Sequence, residues 1–478
     1  MKAVILAAGE GQRLGRGVPK PLVNILGLTL LERSVFTLRE AGVEEIIVVS
    51  GFKGHLLASL VAERGLEVKV IENGDYKGGS ATSILAAKDH VGDRFLVVTG
   101  DHLFEPSAIK GLSNARGSFV AAIDSTARHV DPTEATKVLF SNGRVERIGK
   151  DLTEFNGLDA GAFICSQEVF PVIERCVDEG RGAWNDVKRE WIDSSAREMR
   201  AFDLKGAFWL DVDTEEDLKR ARKLLLQRLT KARDGIISRH LNRKLSRPLT
   251  SLLVNTKLTP NQISLLAFVI GIISGALFSF GSYPLVAIGG LMAQITSVID
   301  GCDGEVARLK HATSKYGAWF DAVLDRVADA VIITGMSYGL VSATGQPLVW
   351  ILGTVALTAS LLISYSEARY ESAFGRKMPS SGRAVPAKRD ARLFLVMLGG
   401  LLNQVLLTLI VLGFLGTSEV ARRLWTSYRA TRRPSRKGDS VLQRHKGKSV
   451  ARVPAPQVLS SENAGAPNRE FKDGMIGN

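Results

Sequence analysis

Four aspartates stand in two closely spaced pairs within the stretch DGCDGEVARLKHATSKYGAWFDAVLD. Asp300 and Asp303 are three residues apart, and Asp321 and Asp325 are four residues apart. On helices, each spacing puts both carboxylates on one face. Both pairs lie in or beside long apolar runs, where an aspartate costs about 2.5–3.5 kcal/mol at the centre of a membrane helix. A divalent cation such as Mg²⁺ or Mn²⁺, which prefers oxygen donors, is the natural compensation.

Small residues stand between these acids and complete the pattern D-x2-D-G-x2-A-R-x8-G-x3-D-x3-D. All eight fixed positions match the signature of the CDP-alcohol phosphotransferase family, which the segment resembles. The resemblance implies that Asp300, Asp303 and Asp321 bind metal, and that Asp325 is a ligand or the base that takes the proton of the acceptor. It also implies a nucleotide site lined by Gly304, Ala307, Arg308 and Gly317. The alternative for four acids in apolar surroundings is a proton or ion path in a transporter.

A second set of residues, near the amino terminus, is suited to binding phosphate. The run Ala3–Ala7 predicts a strand, and the loop after it carries, in order, Gly9, Gly11, Arg13 and Lys20. Glycine lets backbone N–H groups approach phosphate oxygens, while arginine and lysine supply cationic donors to a triphosphate. The full run L-A-A-G-x-G-x-R-L, followed by P-K-P-L, resembles the signature of the sugar-phosphate nucleotidyltransferases.

That second resemblance assigns further residues. The strand FLVVT ends near Asp101, which falls where the family places a metal-binding aspartate. In WLDVDTEEDL, Asp211 is the first choice for another metal ligand and Asp213 the second, with a helix N-cap as the structural alternative. The nucleobase loop is predicted at Gly78, Gly79 and Ser80, and the sugar-phosphate side at Lys137, Lys150 and Asp159. The implied reaction is attack by a phosphate monoester on the α-phosphorus of a nucleoside triphosphate, with Mg²⁺, Arg13 and Lys20 neutralising charge.

Composition divides the 478 residues into four segments. Residues 1–232 alternate short apolar runs such as Ile46–Val49 with helix-like stretches such as Leu30–Ala41, which predicts a Rossmann-like α/β domain with a mostly parallel sheet. Residues 233–258 predict an amphipathic juxtamembrane helix that carries Arg239, Arg243, Lys244 and Arg247. Apolar runs dominate residues 259–429, whereas residues 430–478 form a basic tail that is too poor in large apolar groups to build a core.

The apolar segment predicts an all-α transmembrane domain of six helices. Four spans are predicted at Ile263–Phe280, Tyr283–Ile299, Phe320–Val341 and Leu348–Tyr365. The run from Leu393 to Trp425 predicts a hairpin of two short helices that turns near Asn403–Gln404. Because basic segments stay on the cytoplasmic side, we expect a multi-pass protein of the inner membrane whose amino-terminal domain and carboxyl-terminal tail are both cytoplasmic.

The net charge of +13 favours an anionic partner such as a nucleotide, a phosphate ester or the lipid of an anionic leaflet. Nucleic acid is not expected, because the basic residues flank apolar runs instead of alternating with aromatic residues. The segment KRDAR opens the fifth predicted span, and its Lys388, Arg389 and Arg392 are candidates for binding a phosphorylated acceptor. A positive-inside anchor is the alternative for these three residues.

The fusion of the two chemistries is informative, because the first domain would make the activated donor that the second consumes. The chain resembles the family of bifunctional inositol-1-phosphate cytidylyltransferases and di-myo-inositol-phosphate-phosphate synthases, through GDH, EATK, RIGKDL, LDVDT, DGIISR, NRK, DGCDGE and KRD in that order. The resemblance implies that CTP and inositol 1-phosphate give CDP-inositol. It implies next that CDP-inositol and a second inositol 1-phosphate give di-myo-inositol-phosphate phosphate. A homodimer and Mg²⁺ or Mn²⁺ at both sites are also implied.

Two alternatives stay open. The same two reactions could use another phospho-alcohol, such as choline or glycerol phosphate, or a lipid acceptor. The second alternative is a transporter, or a nucleotide sensor with a degenerate enzyme domain. The presence of Arg13, Lys20 and Asp101, together with the four membrane aspartates, argues against degeneration.

Overall fold

The computed structural model describes residues 1–11, 14, 17–126, 130, 132–194, 197–229, 235, 237–378 and 388–432, with side chains to residue 429. Arg13 and most of the predicted tail, residues 433–478, lie outside the described residues. Residues Met1–Val420 form one compact unit that contains both predicted catalytic regions. The second unit begins at Ala421, and its described part is the end of a helix.

The described part of the amino-terminal domain contains short strands throughout. They are β1 (Lys2–Ala7), β2 (Asn24–Ile25), β3 (Leu28–Thr29), β4 (Glu45–Ser50), β5 (Lys69–Glu72), β6 (Arg94–Thr99), β7 (His102–Phe104), β8 (Phe119–Asp124), β9 (Lys137–Ser141), β10 (Arg144–Gly149), β11 (Gly157–Ser166), β12 (Met199–Asp203) and β13 (Trp209–Asp211). Nine of them form one sheet in the order β5-β4-β1-β6-β11-β8-β12-β10-β9. The other four make two small antiparallel pairs, β2 with β3 and β7 with β13.

The first half of the nine-stranded sheet is parallel, as the apolar runs predict. Strand β1 pairs in parallel with β4 and β6, and β4 pairs in parallel with β5. Beyond β6 the sheet is mixed, because β11 runs antiparallel to both β6 and β8. The predicted α/β fold is therefore confirmed, but a mostly parallel sheet describes only the β5-β4-β1-β6 half.

Helices cover both faces of this sheet, because alternate residues of its strands point to opposite sides. In β1, Val4 lies in the apolar cluster on one face, whereas Ala3 and Ile5 lie in the cluster on the other. The helices of this domain are α1 (Leu30–Glu40), α2 (Gly54–Arg64), α3 (Ser80–Ala86), α4 (Pro106–Ser113), α5 (Phe170–Asp178), α6 (Trp184–Asp193) and α7 (Glu215–Arg228). The predicted helix at Leu30–Ala41 is confirmed, and Thr29 begins it with a reciprocal capping box to Glu32.

The remaining helices form the all-α domain. They are α8 (Arg243–Leu253), α9 (Pro260–Ser279), α10 (Tyr283–Leu309), α11 (Lys315–Thr344), α12 (Leu348–Phe374), α13 (Arg389–Leu401) and α14 (Val405–Arg432). Helices α9 and α11 approach closely at two glycines: a Cβ on Gly275 would lie 2.6 Å from Val331 O, and one on Gly335 would lie 2.0 Å from Gly275 O. Small residues permit such contacts between membrane helices.

Five of these helices, α9 to α12 and α14, are long and apolar enough to cross a membrane. Helix α13 has 13 residues, which corresponds to a length of about 20 Å and is short for a span. The predicted turn near Asn403–Gln404 is confirmed, with Asn403 at a left-handed φ of 54°. Helix α14 has 28 residues and is not the short helix expected from the sequence.

The predicted juxtamembrane helix is present as α8, but its burial pattern differs from that of a simple surface helix. Its Arg243 is buried and forms an ion pair with Glu305 of α10, whose side chain is fully buried. Ser246 and Thr250 of α8 also donate hydrogen bonds to Glu305. The polar face of α8 therefore packs on α10, while Leu245 and Leu252 are exposed.

Candidate active sites

Three aspartates surround Lys20 at the carboxyl edge of the parallel strands. The Lys20 ammonium is 2.7 Å from Asp101 Oδ2 and 3.7 Å from Asp211 Oδ1, and it also donates to Asp213. Asp101 follows β6 and Asp211 ends β13, so the two ends of these strands meet at one place. The N-cap of α7 is Thr214, which makes a capping box with Asp217. Asp213 is therefore not the cap, and both candidate aspartates reach the site.

Burial and mutual charge set the protonation of this group. Burial alone lowers the pKa of Lys20, but the charges of Asp101 and Asp211 raise it above its ordinary value. Burial alone raises the pKa of the Asp101 carboxyl, whereas His102 and Lys20 hold it well below its usual range. Burial raises the pKa of Asp211. The site thus holds a charged lysine among carboxylates that are not all equally acidic.

His102 belongs to this site, and motif reasoning missed it. Its Nδ1 lies 2.6 Å from Asp101 Oδ1 and 3.6 Å from Asp211 Oδ1. In the β7–β13 pair, His102 stands directly opposite Asp211. Burial alone lowers the pKa of His102, but the charges of Asp211 and Asp101 raise it to about 9. Its position directly after Asp101, in the segment GDH, is the one sequence signal that could have found it.

This group of residues fits a divalent cation. Asp101, His102 and Asp211 place their ligand atoms within 4.8 Å of one another. Asp211 Oδ1 is buried and makes no hydrogen bond among the described residues. Carboxylate oxygens and a histidine nitrogen are suitable ligands for Mn²⁺ and, for the oxygens, Mg²⁺.

A cavity of about 200 Å³ opens beside the same aspartates. Of the three residues predicted for the sugar-phosphate side, Lys150 and Asp159 line it, together with Asp211, Asp213, Trp184 and Lys188. Asp159 is almost fully buried and forms an ion pair with Lys188, which sequence reasoning did not single out. Lys137 is elsewhere, with its ammonium 5.4 Å from the centre of the Phe155 ring.

The predicted nucleobase loop packs backbone against backbone on the segment before α6. Gly79 has a left-handed φ of 114°, and a Cβ on it would lie 2.2 Å from Gly182 O. Gly182 is equally constrained, since a Cβ on it would lie 1.7 Å from Gly78 O, and a Cβ on Gly78 would lie 2.5 Å from Asp75 Oδ2. Ser80 Oγ accepts a hydrogen bond from the backbone N–H of Trp184 at 3.0 Å. These contacts place Gly78, Gly79 and Ser80 close to Trp184, one of the residues that line the cavity.

The first glycine loop has one tightly constrained position. Gly11 has a left-handed φ of 63°, and a Cβ on it would lie 2.9 Å from Lys20 Cβ. Gly9 has open space around its Cα. The missing side chain of Gly11 therefore lets the loop approach Lys20 closely. Around Gly9, a Cβ would meet no atom of the described residues within 4 Å.

The second site lies where α10, α11 and α13 meet. Asp300 and Asp303 are both on α10, and Asp321 and Asp325 are both on α11, as the spacing predicts. Asp300, Asp321 and Asp325 place their ligand atoms within 4.8 Å of one another. Asp303 is within hydrogen-bonding reach of Asp321 and accepts from Ser264 of α9 and from the Gly304 N–H. Four carboxylates thus converge, and this oxygen-rich donor set fits a divalent cation.

The three acceptor candidates occupy different positions around this cluster. Arg389 enters it, with its Nη1 2.7 Å from Asp325 and 3.1 Å from Asp300. Arg392 lies deeper and pairs at 2.9 Å with Asp329, which also receives Arg389 Nε at 3.0 Å. Lys388 is the exposed N-cap residue of α13.

Asp329 is a second residue that motif reasoning missed. It is almost fully buried on α11 and holds both arginines of α13. Its spacing is the sequence signal that could have identified it, because Asp329 continues the four-residue series begun by Asp321 and Asp325 on one helix face. It lies outside the eight signature positions.

The other signature residues lie at the carboxyl end of α10 and the amino end of α11. Arg308 donates a long hydrogen bond of 3.5 Å to Leu229 O, at the end of α7. A Cβ on Gly304 would lie 3.2 Å from Arg308 Nη1. A Cβ on Gly317 would lie 3.1 Å from Asn261 Oδ1 of α9. Ala307 is buried beside Arg308. These residues are gathered at one end of the helices that carry the aspartates.

Two family matches cover most of the chain. Residues 3–188 match the family described as "MobA-like NTP transferase domain". Residues 257–418 match the family described as "CDP-alcohol phosphatidyltransferase". Lys20, Asp101 and His102 of the first acidic site lie within the matched nucleotidyltransferase segment, and Asp211 and Asp213 follow it in the chain. The second acidic site lies within the matched phosphotransferase segment. The chain is therefore a transferase with two domains of different chemistry, and its apolar helices associate with a membrane.

Relatives match both domains together. A protein of Rubrobacter xylanophilus is 45% identical over 88% of this chain and 95% of its own length. Proteins of Archaeoglobus fulgidus and Aquifex aeolicus are 37% and 34% identical, over 88% and 86% of this chain and 82% and 95% of their own lengths. All three bear the name "Bifunctional IPC transferase and DIPP synthase". At this identity and coverage, the chain belongs to the family of bifunctional IPC transferases and DIPP synthases.

Proposed function

We propose that this chain makes CDP-inositol from CTP and inositol 1-phosphate, and then transfers phosphoinositol from CDP-inositol to a second inositol 1-phosphate. The product is di-myo-inositol-phosphate phosphate. The observation that carries this proposal is the match of 88% of this chain, both domains included, to 95% of a relative named for the two activities. The two acidic sites of this chain support it.

In the first reaction, a phosphate oxygen of inositol 1-phosphate forms a bond to the α-phosphorus of CTP. The bond between the α-phosphorus and its bridging oxygen breaks, and pyrophosphate leaves. The attacking oxygen is already anionic, so the site needs no general base. Lys20 supplies a fixed positive charge beside the phosphates, and Arg13 is proposed to supply another. The loop at Gly78–Ser80 and the cavity beside Lys150 and Lys188 orient the two substrates.

In the second reaction, a hydroxyl of the acceptor attacks the phosphorus of CDP-inositol that carries the inositol. CMP leaves, and the hydroxyl proton must be accepted by a nearby base. Asp325 is the candidate for that base, and Arg389 and Arg326 hold its carboxylate at 2.7 and 3.1 Å. We assign nucleotide binding to Gly304, Ala307, Arg308 and Gly317, which lie together at the end of the site.

Both sites are proposed to take Mg²⁺ or Mn²⁺. Asp101, His102 and Asp211 would hold it in the first domain, and Asp300, Asp303, Asp321 and Asp325 in the second. When bound, the cation would neutralise negative charge on the phosphate groups of CTP at the first site and of CDP-inositol at the second. Lys388, Arg389 and Arg392 are proposed for the phosphorylated acceptor. Of the three, Lys388 is the exposed residue, at the N-cap of α13.

The arrangement in the membrane is also a proposal. The connections after α9 and α11 carry no charge, whereas the segment between α10 and α11 contains Lys310 and His311 and the one before α13 is basic. The positive-inside rule then puts both active sites and the amino-terminal domain in the cytoplasm of a cell with this protein in its inner membrane. We also propose that α8 contacts membrane lipid. A homodimer of the chain is proposed as well.

A labelling experiment tests the substrate assignment. Purified membranes containing the chain are incubated with labelled CTP, Mg²⁺ and inositol 1-phosphate, in parallel with choline phosphate and glycerol phosphate. We expect labelled CDP-inositol to form, followed by CMP and the phosphorylated diester. Activation of choline or glycerol phosphate without CDP-inositol would refute the inositol assignment, and transfer to lipid in place of inositol 1-phosphate would refute the acceptor.

A further inference from the structure

The two catalytic halves share one apolar core. From the amino-terminal domain it contains Leu26, Leu103, Val212 and Leu229, and from the membrane half Val254, Ile263, Cys302, Val306 and Leu309. Leu103 adjoins His102, and Val212 lies between Asp211 and Asp213. Cys302 and Val306 flank Asp303 and Gly304. The packing that joins the halves therefore begins beside the acids of one site and ends beside those of the other.

Hydrogen bonds from the first domain end on the helix that carries the second site. Arg33 of α1 is 4% exposed and donates to Ile25 O at 3.1 Å and to Leu309 O at 3.2 Å. Leu309 is the last residue of α10, where carbonyl groups lack partners within the helix. In the opposite direction, the signature residue Arg308 donates to Leu229 O, at the end of α7. Hydrogen bonds from Arg33 of the first domain and from Arg308 of α10 thus tie the end of α10 to the amino-terminal domain.

The contact is also sterically tight. Gly27, in the turn between β2 and β3, has a left-handed φ of 82°, and a Cβ on it would lie 2.5 Å from Val254 O. His311, directly after α10, stacks on Phe36 of α1 with ring centroids 5.4 Å apart. The two halves therefore meet through close backbone and ring contacts as well as through apolar side chains.

We infer that the amino-terminal domain is a positioning element of the phosphotransferase site: through Arg33 and the shared core it fixes the carboxyl end of α10, and with it Asp300, Asp303 and Arg308. Gly27 contributes through Val254 at the end of α8, which belongs to the same core. The membrane site would then depend on the docked cytoplasmic domain for geometry as well as for its donor substrate. The identity of that donor substrate rests on the proposed function. The positioning of α10 by the amino-terminal domain is argued from contacts alone and does not depend on it.

Two glycines provide a matched test. Gly27→Ala adds a methyl group against Val254 O at a left-handed position. Gly42→Ala adds the same group at a φ of 93°, also left-handed, with nothing within 4 Å. The backbone penalty is similar in both variants, so their difference reports the contact with the membrane half. Neither glycine belongs to a catalytic or binding group.

We expect Gly27→Ala to keep CDP-inositol formation at the level of Gly42→Ala. With supplied CDP-inositol, Gly27→Ala should raise the Mg²⁺ concentration needed for half-maximal phosphotransfer by about tenfold, as the loss of a supporting contact does at metal sites. A loss of folded protein alone would lower both rates and leave that Mg²⁺ concentration unchanged. In a Mn²⁺ titration of the purified chain, followed by electron paramagnetic resonance without substrate, the binding phase that Asp321→Asn removes is that of the membrane site, and Gly27→Ala should weaken this phase by a similar factor while the other phase is unchanged.

The result that overturns the inference is Gly27→Ala behaving as Gly42→Ala in both the Mg²⁺ dependence and the Mn²⁺ titration. If Gly27→Ala cannot be recovered folded, His311→Asn takes its place, because asparagine tolerates the left-handed φ of 49° while removing the stack on Phe36. Failure of the wild type to use inositol 1-phosphate would count against the proposed function alone, since the Mn²⁺ comparison still decides the positioning role.

Discussion

At the residue scale, each site places a lysine or an arginine directly among its acids. Lys20 stands among Asp101, Asp211 and Asp213, and Arg389 stands among Asp300, Asp325 and Asp329. In both places the cation occupies part of the space between carboxylates that a divalent ion would share. A bound metal would therefore redistribute these ion pairs, leaving the lysine or arginine free to turn toward phosphate.

The separation of the two groups gives a first prediction. Asp321→Asn removes one carboxylate from the membrane site, and we expect phosphotransfer from supplied CDP-inositol to fall by at least about 100-fold. CDP-inositol formation should be unchanged, so that this intermediate accumulates from CTP. Both rates are measured by chromatography of labelled products. Loss of CDP-inositol formation in this variant would contradict the presence of two separable sites.

His102 leads to the converse prediction. Its imidazole holds Asp101 and faces Asp211, so His102→Ala should lower CDP-inositol formation by about tenfold or more. Phosphotransfer from supplied CDP-inositol should stay at the wild-type rate. His90→Ala, at a half-buried ring of the same domain that contacts Lys69 and lies outside the site, serves as the control. Equal effects of the two substitutions on CDP-inositol formation would show that His102 is no part of the site.

At the element scale, the sequence predicted what short spacing and apolar runs determine. The four signature aspartates lie on α10 and α11 as their spacing requires, and β1, β4, β5 and β6 follow their apolar runs. The mixed half of the sheet was not predictable in this way, because the antiparallel pairing of β11 depends on contacts between distant segments. The entry of Arg389 into the acidic cluster is equally non-local, since α13 is separated from α11 by a whole helix.

Burial was the other property that sequence did not reveal. The basic residues of α8 predict a helix lying on the membrane surface, yet Arg243 faces inward to Glu305. A charge pattern alone cannot show which charged residue will find a buried partner. The same applies to Lys188, whose partner Asp159 lies on β11 while Lys188 lies on α6.

Two lysine–carboxylate pairs that differ in burial allow a stability prediction. Lys188–Asp159 and Lys88–Glu174 both have N–O distances of 2.5 Å, but the first side chains are 3% and 5% exposed and the second are both 43% exposed. Lys188→Met leaves Asp159 buried without its partner and should lower the free energy of unfolding by about 3–5 kcal/mol. Lys88→Met should change it by no more than about 1 kcal/mol.

The comparison is made by urea denaturation of the purified chain in detergent, followed by tryptophan fluorescence. Lys188 and Lys88 each lie near an aromatic ring, at 4.9 and 6.0 Å from its centre. Removal of a cation–ring contact is therefore common to both variants. Similar losses of stability in the two variants would mean that burial of the Lys188 pair has no special importance.

At the scale of the whole molecule, the two enzymes behave as one body. The amino-terminal domain and the apolar helices up to Val420 belong to the same compact unit, and their contact includes a buried arginine, a close glycine and a common apolar core. An interface of this kind does not resemble a flexible linkage between independent domains. Production and use of the intermediate thus take place at sites whose separation is held constant by the fold.

The pH dependence of this docking can be predicted from His311. Burial, with the nearby charge of Arg33, lowers the pKa of His311 to about 4 in the docked structure, compared with an ordinary value of 6.5. Glu40 lies 3.8 Å away, but it is exposed, so solvent screens its charge. If the contact between the amino-terminal domain and the membrane helices opens, His311 regains its ordinary pKa. Between pH 6.5 and 4 this undocked state therefore binds more protons than the docked state. Docking should weaken as the pH falls through this range, by at most about 1.4 kcal/mol per pH unit.

Hydrogen exchange measures this effect directly. Protection of the amides of residues 310–312 and of the β2–β3 turn, corrected for the intrinsic pH dependence of exchange, should decrease from pH 7 to pH 5. Protection in α5, which is far from the contact in the chain and packs on the sheet, should not change. His311→Asn removes the titrating ring, so its protection at the contact should be independent of pH in the same interval. A decrease in that variant as large as in the wild type would assign the pH effect to another group.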